Sequence, residues 1–535
     1  MNSHRVLCYS PHNAWELHGQ YEITILHALR LRGNEINHVL CNGVFKACDI
    51  YWDATRPRHA MSCVDCQAQT TSLSSRMRMP FTGLSKYIDS SEYEKASAFS
   101  KSLSPENMIN SKFEDWEIGE WVKSSVHSHF RADELDFTNS RVIEVYADYI
   151  ESGILAAYGL SRLIAEFKPS IIFLFNGRQS TTRVAFEIAK LNNITTFLHE
   201  RGAVYDTMRI WKDLPNNSTL LRHYKSLWKS WKHKPLDKNE INTIEDFLQK
   251  LQNGRGINWK SYVTAKRIGG ERIKNLFKIK SNQKIWSLFT SSRDELVSAE
   301  YKEIFTNQTD WIERTIEIAI KNNQPLLIRI HPNIASKVSL GVNEGGLKSM
   351  IDLEKKYYKY RDLIYFIASD SDINTYDLIE ITDVGITYGS TIGLEMACIG
   401  KSVVVCTEAS YDHLENIWTV KNKDQYEDLL LLSARVNSKY SIKKEALRYA
   451  YYYYYVALST KFPYVKMTDP HNAVLTYDSL EDLLPGKEKY LDRICDYILH
   501  NKEIINVPNI SDEELEKNKL IEAEHIQNSF VEKYI

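Results

Sequence analysis

Apolar and polar positions alternate at the start of the chain in the manner of strands separated by a helix. Arg5–Ser10 and Glu35–Cys41 are short apolar runs, and His18–Arg32 between them repeats apolar residues at helical spacing and stops at Gly33. A β-α-β unit of this kind predicts a parallel sheet that is covered by helices on both faces.

The same alternation returns twice further along the chain. Apolar runs at Ser170–Phe175 and Ile194–His199 flank a helical pattern at Ser180–Leu191, and a new series begins at Lys284–Phe289. That series continues through helix Trp311–Lys321, strands Pro325–Ile330 and Leu363–Phe366, helix Asn374–Ile381, strand Val384–Thr387, helix Ile392–Ile399 and strand Ser402–Cys406. The sequence therefore predicts an α/β chain with two Rossmann-like, doubly wound domains.

The length of 535 residues also favours more than one domain, because a single hydrophobic core stops growing well below that size. We expect an N-terminal domain over residues 1–275 with an irregular, Cys-containing insertion at about 42–140. A second domain would span 276–460, and a helical extension 461–535. There is neither a run of about 18 apolar residues nor a signal-like N-terminus, so the predicted location is the cytoplasm.

Four of the eight cysteines lie close together in the predicted insertion: Cys41, Cys48, Cys63 and Cys66. The C-x-x-C at Cys63 and Cys66 can place two thiolates on one metal ion, whereas the C-x6-C before it is looser than zinc-ribbon spacing. The pattern leaves two interpretations, a structural zinc site or four reduced thiols in a loop-rich segment.

The segment Arg209–Lys280 is basic, with 17 Lys and Arg against 6 Asp and Glu. It also contains Trp211, Trp228, Trp231 and Trp259. Exposed tryptophans beside basic residues would suit a membrane surface or a phosphorylated, lipid-linked acceptor. A solvated helical face with the tryptophans in the core is the favoured alternative. Nucleic acid is not expected as a partner, since no recognised binding motif accompanies the charge.

Polar and charged residues follow the ends of the predicted strands in both domains. In open parallel sheets, ligands bind beyond the carboxyl ends of the strands, where helix N-termini also point. In the N-terminal domain the candidates are His12, Asn176, Arg178, His199 and Glu200. In the C-terminal domain they are Arg293, Arg329, His331, Ser390, Thr391 and Glu395.

The C-terminal candidates suit a diphosphate group. Tyr388–Glu395 passes from a strand through Gly-Ser-Thr into a helix, so backbone N–H groups and two hydroxyls converge at one point. Arg293, Arg329 and His331 could add charge-assisted contacts. Glu395 lies one helical turn further on, where a carboxylate can accept hydrogen bonds from ribose hydroxyls. A plain helix N-cap is the alternative for the Ser-Thr pair.

Two motifs in this part of the chain resemble a known family. Arg-x-His-Pro at 329–332 and Gly-Ser-Thr-x-Gly-x-Glu-x-x-x-x-Gly-Lys at 389–401 resemble bacterial capsule-polysaccharide biosynthesis glycosyltransferases. Related features occur in polysialyltransferases, in Kdo transferases of capsule assembly and in teichoic-acid polymerases. The resemblance implies the GT-B fold, with the two domains facing a central cleft. It also implies donor-phosphate contacts from His331, Ser390 and Thr391 and a ribose contact from Glu395.

The resemblance extends to a candidate catalytic base. Several of these families carry an acidic motif in the first domain whose carboxylate is the base, and Glu200-Arg201-Gly202 occupies the corresponding place. Glu200 is therefore the predicted base and His199 its substitute. A salt bridge of Glu200 with Arg201 or Arg178, and a core role for His199, are the structural alternatives.

The implied activity is transfer of a sugar from a nucleotide-activated donor to a surface polysaccharide or lipid-linked glycan, without a catalytic metal. Such a protein would work in the cytoplasm, with the inner face of the membrane as a second expected location. Transfer of a polyol phosphate, nucleotide-sugar epimerisation on the same fold and noncatalytic polysaccharide binding stay open as alternatives.

Overall fold

The structure, a computed structural model, describes residues 3–11, 15–50, 60–255, 265–280, 282–292, 294, 297, 300, 304–335, 344–435, 443–468, 472–505, 507 and 509–528. The chain forms two compact units. The N-terminal unit contains Met1–Phe130, Glu134–Leu220 and Leu458–Asn506, and the C-terminal unit contains Arg131–Asp133, Leu221–Ala457 and Val507–Ile535.

The strands follow in chain order: β1 (Arg5–Ser10), β2 (Glu35–Leu40), β3 (Thr82–Gly83), β4 (Ile171–Phe175), β5 (Thr195–Arg201), β6 (Thr207–Lys212), β7 (Trp286–Phe289), β8 (Leu326–Arg329), β9 (Ile364–Ile367), β10 (Val384–Thr387), β11 (Ser402–Val405), β12 (Ile417–Thr419), β13 (Thr460–Lys461), β14 (Val465–Met467) and β15 (Ala473–Leu475).

The helices follow in chain order: α1 (Glu16–Leu31), α2 (Ala60–Arg76), α3 (Ser90–Ser102), α4 (Ile118–Phe130), α5 (Ser140–Phe167), α6 (Ser180–Leu191), α7 (Ser218–Trp231), α8 (Lys238–Gln252), α9 (Gly270–Leu276), α10 (Gln308–Lys321), α11 (Pro332–Ala335), α12 (Glu344–Lys356), α13 (Thr375–Ile381), α14 (Ile392–Cys398), α15 (Tyr426–Arg435), α16 (Lys444–Tyr451), α17 (Lys489–His500) and α18 (Asp512–Asn528).

The N-terminal unit is built on a seven-stranded sheet of order β13-β6-β5-β4-β1-β2-β3. The pairs that join β5, β4, β1, β2 and β3 are parallel, whereas β5–β6 and β6–β13 are antiparallel. Buried residues of α1 such as Tyr21 and Leu26 pack on Val6 and Phe173 of this sheet. Burial on both faces fits the near-continuous apolar runs of the central strands.

The C-terminal unit is built on a six-stranded, all-parallel sheet of order β12-β11-β10-β7-β8-β9. Its core includes Trp286 and Trp311, and the Trp311 indole donates to the Tyr426 hydroxyl at 3.0 Å. The predicted α/β class with two Rossmann-like domains is confirmed.

The segment expected to be an irregular insertion is helical in the described residues. It contains α2, α3 and α4, and both α3 and α4 pack against the long helix α5. On α4, Ile118, Trp121, Val122 and Val126 are buried at helical spacing. An amphipathic face of this kind needs a packing partner, and α5 supplies one.

The two units divide the chain at Leu220 and Leu221 instead of near residue 275, and part of the predicted extension returns to the N-terminal unit. The division follows from packing. On α7, Trp228 contacts Tyr449 and Tyr452 of the C-terminal unit, while β13 adds an edge strand to the N-terminal sheet. Within the run of five tyrosines at 451–455, Tyr452 and Tyr454 are buried in the helical segment Tyr452–Ala457.

The basic segment places its tryptophans in the interior. Trp211, Trp228 and Trp231 are each at most 4% exposed, and Trp259 lies outside the described residues. The interpretation with tryptophans in the core is confirmed for these three, and they do not form an exposed aromatic surface for a membrane. Among the described helices, none combines the length and apolar character needed to cross a bilayer.

Candidate functional site

The motif residues of the C-terminal unit meet at the carboxyl edge of its sheet. In the order β10-β7-β8, the Gly389–Thr391 turn follows β10, Thr290 follows β7 and His331 follows β8. With strands about 4.8 Å apart, the ends of β10 and β8 are separated by roughly 10 Å. The backbone N–H of His331 donates to the Thr290 hydroxyl at 2.7 Å, which fixes this corner of the edge.

Two glycines allow the turn after β10 to lie close to its neighbours. Gly389 has φ +103°, and a Cβ there would lie 2.9 Å from Cγ2 of Thr407. A Cβ on Gly393 would come within 2.2 Å of the Tyr411 hydroxyl. That hydroxyl donates to the carbonyl of Ser390, so Tyr411 holds the turn in position.

The Ser390 and Thr391 side chains are open to a ligand. Thr391 is exposed and Ser390 is half-buried, and within the described part of the chain neither hydroxyl makes a hydrogen bond. The carbonyls of these two residues accept from Gly393 and Leu394, which starts the seven-residue helix α14. The two hydroxyls are thus available to a ligand's anionic oxygens.

His331 is half-buried and electrically neutral at neutral pH. Burial lowers its pKa to about 4, and the nearby Arg329 charge adds to this, while Asp294 opposes it. A neutral imidazole can donate one N–H to a phosphate oxygen but brings no positive charge. The residue therefore suits orientation of a phosphate more than neutralisation.

Of the two arginines predicted beside His331, the structure describes Arg329. Arg329 is only 7% exposed, and its guanidinium donates to the carbonyl of Ala368. Arg293 lies outside the described residues. A direct contact of either arginine with a donor phosphate stays a prediction.

Glu395 is held by a neighbouring helix. Its carboxylate accepts from the Tyr376 hydroxyl at 2.7 Å, beside a small cavity lined by Leu248, Ile379 and Ile399. These apolar walls desolvate the carboxylate, so its pKa rises to about 7 despite the hydrogen bond. The side chain can switch its charge near neutral pH.

Glu395→Gln should stabilise the protein at pH 8 and change little at pH 4. The folded pKa of about 7 exceeds the ordinary value for Glu of about 4.3, so the folded state binds more protons than the unfolded state between them. Stability is therefore lost as the pH rises through 7. Glutamine stays neutral and can still accept from Tyr376. We expect a gain of about 1–2 kcal/mol at pH 8, because the partly exposed side chain keeps some hydration.

Thermal melts at pH 4, 6 and 8 measure this effect. Glu354→Gln, on the exposed side of α12, is the matched control and should follow the wild type at every pH. Parallel wild-type and Glu395→Gln curves across the series would refute the raised pKa.

In the N-terminal unit, Glu200 lies at the carboxyl end of β5, where it is 9% exposed. Its carboxylate accepts from the Asn176 side-chain amide at 2.6 Å and lies 3.4 Å from Nε2 of His18. Burial favours the neutral acid, but His18, Arg201, Arg209 and the Asn176 bond together outweigh it and lower the pKa to about 2. Glu200 is ionised throughout the physiological range.

His18 contacts the candidate base Glu200 and was not among the residues predicted from the sequence. It lies in the buried part of α1, four residues before Glu22, and both side chains face β5. His199, the predicted substitute base, is fully buried with Nε2 2.8 Å from the Glu22 carboxylate. This burial fits the core role that the sequence analysis gave as the alternative for His199.

The remaining candidates of the N-terminal unit are Asn176, Arg178 and His12. Asn176 adopts φ +57° and contacts Glu200, whereas Arg178 lies within electrostatic range of Asp49. His12 lies outside the described residues. Of the candidates that the structure describes, Asn176 is the one whose side chain donates a hydrogen bond to Glu200.

The clustered cysteines lie elsewhere in the N-terminal unit. Cys41 directly follows β2, Cys48 lies in the next loop, and Cys63 and Cys66 lie on α2. All four are half-buried free thiols.

No family model matches the chain, and no curated protein matches it. Solved structures do match. A β-Kdo 2,4 transferase, KpsC of Thermosulfurimonas dismutans, aligns with 59% of this chain and 87% of its own at 13% identity and a TM-score of 0.34. The UDP-GlcNAc 2-epimerase of Methanocaldococcus jannaschii aligns with 83% of this chain and 97% of its own at 11% identity and a TM-score of 0.28. A glycosyltransferase of Rickettsia africae aligns with 99% of this chain and 100% of its own at 12% identity and a TM-score of 0.26. At these values the likeness assigns no substrate or role to any residue.

Proposed function

We propose that this chain transfers a sugar from a nucleotide-activated donor to a glycan acceptor, either a surface polysaccharide or a lipid-linked glycan. The observation that carries the proposal is the meeting of the Gly389–Thr391 turn with Thr290 and His331 at one sheet edge. Convergent hydroxyl and N–H donors at the carboxyl ends of parallel strands suit the diphosphate of a nucleotide sugar.

The donor would be oriented by neutral hydrogen-bond donors. The Ser390 and Thr391 hydroxyls and the neutral His331 imidazole would contact phosphate oxygens. Glu395, in its ionised form, would accept from the ribose. These contacts strengthen as negative charge develops on the departing diphosphate, which is the property that speeds cleavage of the bond to the sugar.

Proton removal from the acceptor hydroxyl is the second requirement, and we assign it to the pair formed by Glu200 and His18. A carboxylate with a pKa of about 2 is a weak proton acceptor, since general bases work best near the operating pH. An imidazole beside it is better suited, because the carboxylate stabilises the cation that forms. His18 would accept the proton while Glu200 holds its charge.

Transfer is expected to proceed without an added divalent cation, because the hydrogen-bond donors of the sheet edge stabilise the leaving group. Incubating the purified chain with a radiolabelled nucleotide sugar and a glycan acceptor tests this, with and without a brief EDTA treatment. The expected result is equal incorporation into the acceptor in both samples. Activity that returns only on adding Mg²⁺ or Mn²⁺ would contradict the proposal.

The products of the same incubation separate the reaction classes. Labelled glycan together with free nucleoside diphosphate supports sugar transfer. An epimerised sugar formed without any acceptor would identify an epimerase. Turnover confined to a nucleotide-activated polyol, with the polyol phosphate passing to the acceptor, would identify a polyol-phosphate transferase. Either of the last two results would overturn the assignment.

A further inference from the structure

A buried hydrogen-bonded pair lies one helical turn behind the contact between His18 and Glu200. Nε2 of His199 lies 2.8 Å from a carboxylate oxygen of Glu22, and these two side chains are 0% and 2% exposed. A carboxylate can only accept a hydrogen bond, so His199 is the donor. We call Glu22 and His199 the inner pair, and His18 and Glu200 the outer pair.

The two pairs are neighbours along the chain. Glu22 follows His18 by about one turn of α1, so both side chains lie on the same side of that helix. His199 directly precedes Glu200 on β5. The two contacts therefore join the same helix to the same strand in succession. The inner pair limits how far α1 can shift along β5.

His199 also packs against the His18 ring itself. The centroids of the two rings lie 5.8 Å apart, and the His199 ring stacks on Phe173 at 5.0 Å with an interplanar angle of 29°. The His18 ring in turn packs on Phe175 at 4.3 Å. A change in the position of His199 would thus reach the His18 imidazole directly.

Burial makes the inner pair a rigid connection. A carboxylate in the protein interior is stable only when it is paired and hydrogen-bonded. Among the described residues, His199 is the side chain that hydrogen bonds the Glu22 carboxylate. Movement of α1 relative to β5 would break this bond inside the core, where no water replaces it.

We infer that Glu22 and His199 are positioning residues for sugar transfer, because their bond sets the place of His18 against Glu200. The inference rests on the proposed function, in which His18 accepts the proton of the acceptor hydroxyl. Neither member of the inner pair would contact a substrate, since both are enclosed in the core. A misplacement of about 1 Å can cost on the order of 10²-fold in rate.

The first experiment replaces both members of the inner pair by leucine. Glu22→Leu with His199→Leu removes donor and acceptor together, and buried ion pairs can be exchanged for apolar residues without loss of folding. We expect kcat for sugar transfer to fall by about 100-fold, with KM and donor affinity unchanged. Gln20→Leu removes another buried bond of α1, to the carbonyl of Ala473 at 2.9 Å, and should keep the wild-type kcat.

Conservative variants separate the hydrogen bond from simple packing. His199→Gln can still donate an N–H to Glu22, and Glu22→Gln can still accept one, so each should keep most of the activity. If the double leucine variant does not fold, His199→Asn replaces it, because its amide is too short to reach Glu22. Equal losses of kcat in His199→Gln and His199→Asn, with normal melting, would contradict a role for the bond.

A second readout needs no substrate. In protein with isotope-labelled histidine, the His18 imidazole resonances, assigned by their loss in His18→Asn, report its contact with Glu200. They should shift in the double leucine variant and stay in place in Gln20→Leu. A wild type that transfers no sugar would refute the proposed function. Unchanged His18 resonances, or wild-type kcat, in the double variant would overturn the positioning role.

Discussion

Glu200→Gln should lower the rate of sugar transfer by about 10²–10⁴-fold, the usual effect of losing acid-base catalysis. The amide keeps the size of the side chain and can still contact Asn176, but it carries no charge to stabilise a protonated His18. Donor affinity should be unchanged, because the proposed phosphate and ribose contacts come from residues of the C-terminal unit.

Initial rates, donor titration and melting temperature of the purified variant measure the three quantities separately. Glu94→Gln, at an exposed position on α3, is the matched control and should keep wild-type activity. Turnover close to wild type in folded Glu200→Gln would remove Glu200 from the mechanism. Lost donor affinity with normal folding would make it a binding residue instead.

The pH dependence of the wild-type rate distinguishes the two members of the pair. With His18 as the acceptor, the rate should fall as the pH is lowered between about 8 and 5, because a protonated imidazole cannot accept a further proton. With Glu200 as the acceptor, its pKa of about 2 would leave the rate flat between pH 5 and 8. A flat profile would therefore reject His18 as the acceptor.

Replacing Ser390 and Thr391 together by alanine should weaken donor binding by at least about 100-fold. Hydrogen bonds to charged groups contribute about 1.5–3 kcal/mol each, so losing two costs at least 3 kcal/mol. The turn itself should survive, because Tyr411 bonds the backbone carbonyl of Ser390 and not its hydroxyl.

Calorimetric titration with the donor measures the affinity. Ser230→Ala, at an exposed position on α7 in the same unit, controls for the loss of a surface hydroxyl and should bind like the wild type. Unchanged affinity in the double variant, with normal melting, would show that the Ser-Thr pair only begins α14.

The parallel parts of both sheets could be predicted from sequence, because their signal is local. Apolar runs of four to seven residues alternate with helical spacing, and β1, β4, β7 and β10 fall within the predicted runs. The antiparallel edge could not be predicted in this way. Strand β13 pairs with β6 across some 250 residues of chain, and a two-residue strand has no periodicity of its own.

The placement of the C-terminal candidates at one sheet edge was predictable from sequence, whereas their charge states were less so. Ser390, Thr391 and His331 do share a sheet edge, as expected for residues that follow the carboxyl ends of strands in one parallel sheet. Which groups are charged depends on burial that only the fold sets. Arg329 donates to a backbone carbonyl, His331 is neutral, and the pKa values of Glu200 and Glu395 move in opposite directions.

His18 shows a signal that sequence reasoning could have used. His18 and Glu22 are four residues apart on one helix, a spacing that directs both polar side chains to the same side of it. The partner of His18 lies on β5, however, and no local pattern links it to Glu200. The pair is visible only once the strand order is known.

Ligand-observed nuclear magnetic resonance with a panel of nucleotide sugars tests the central claim most directly. The wild type and Glu200→Gln should both give saturation-transfer signals from the same nucleotide sugar, strongest at the diphosphate-linked ribose and sugar protons. The Ser390→Ala, Thr391→Ala double variant should lose those signals while staying folded. A wild-type protein that binds no member of a broad panel, or a donor signal that the double variant retains in full, would contradict the account.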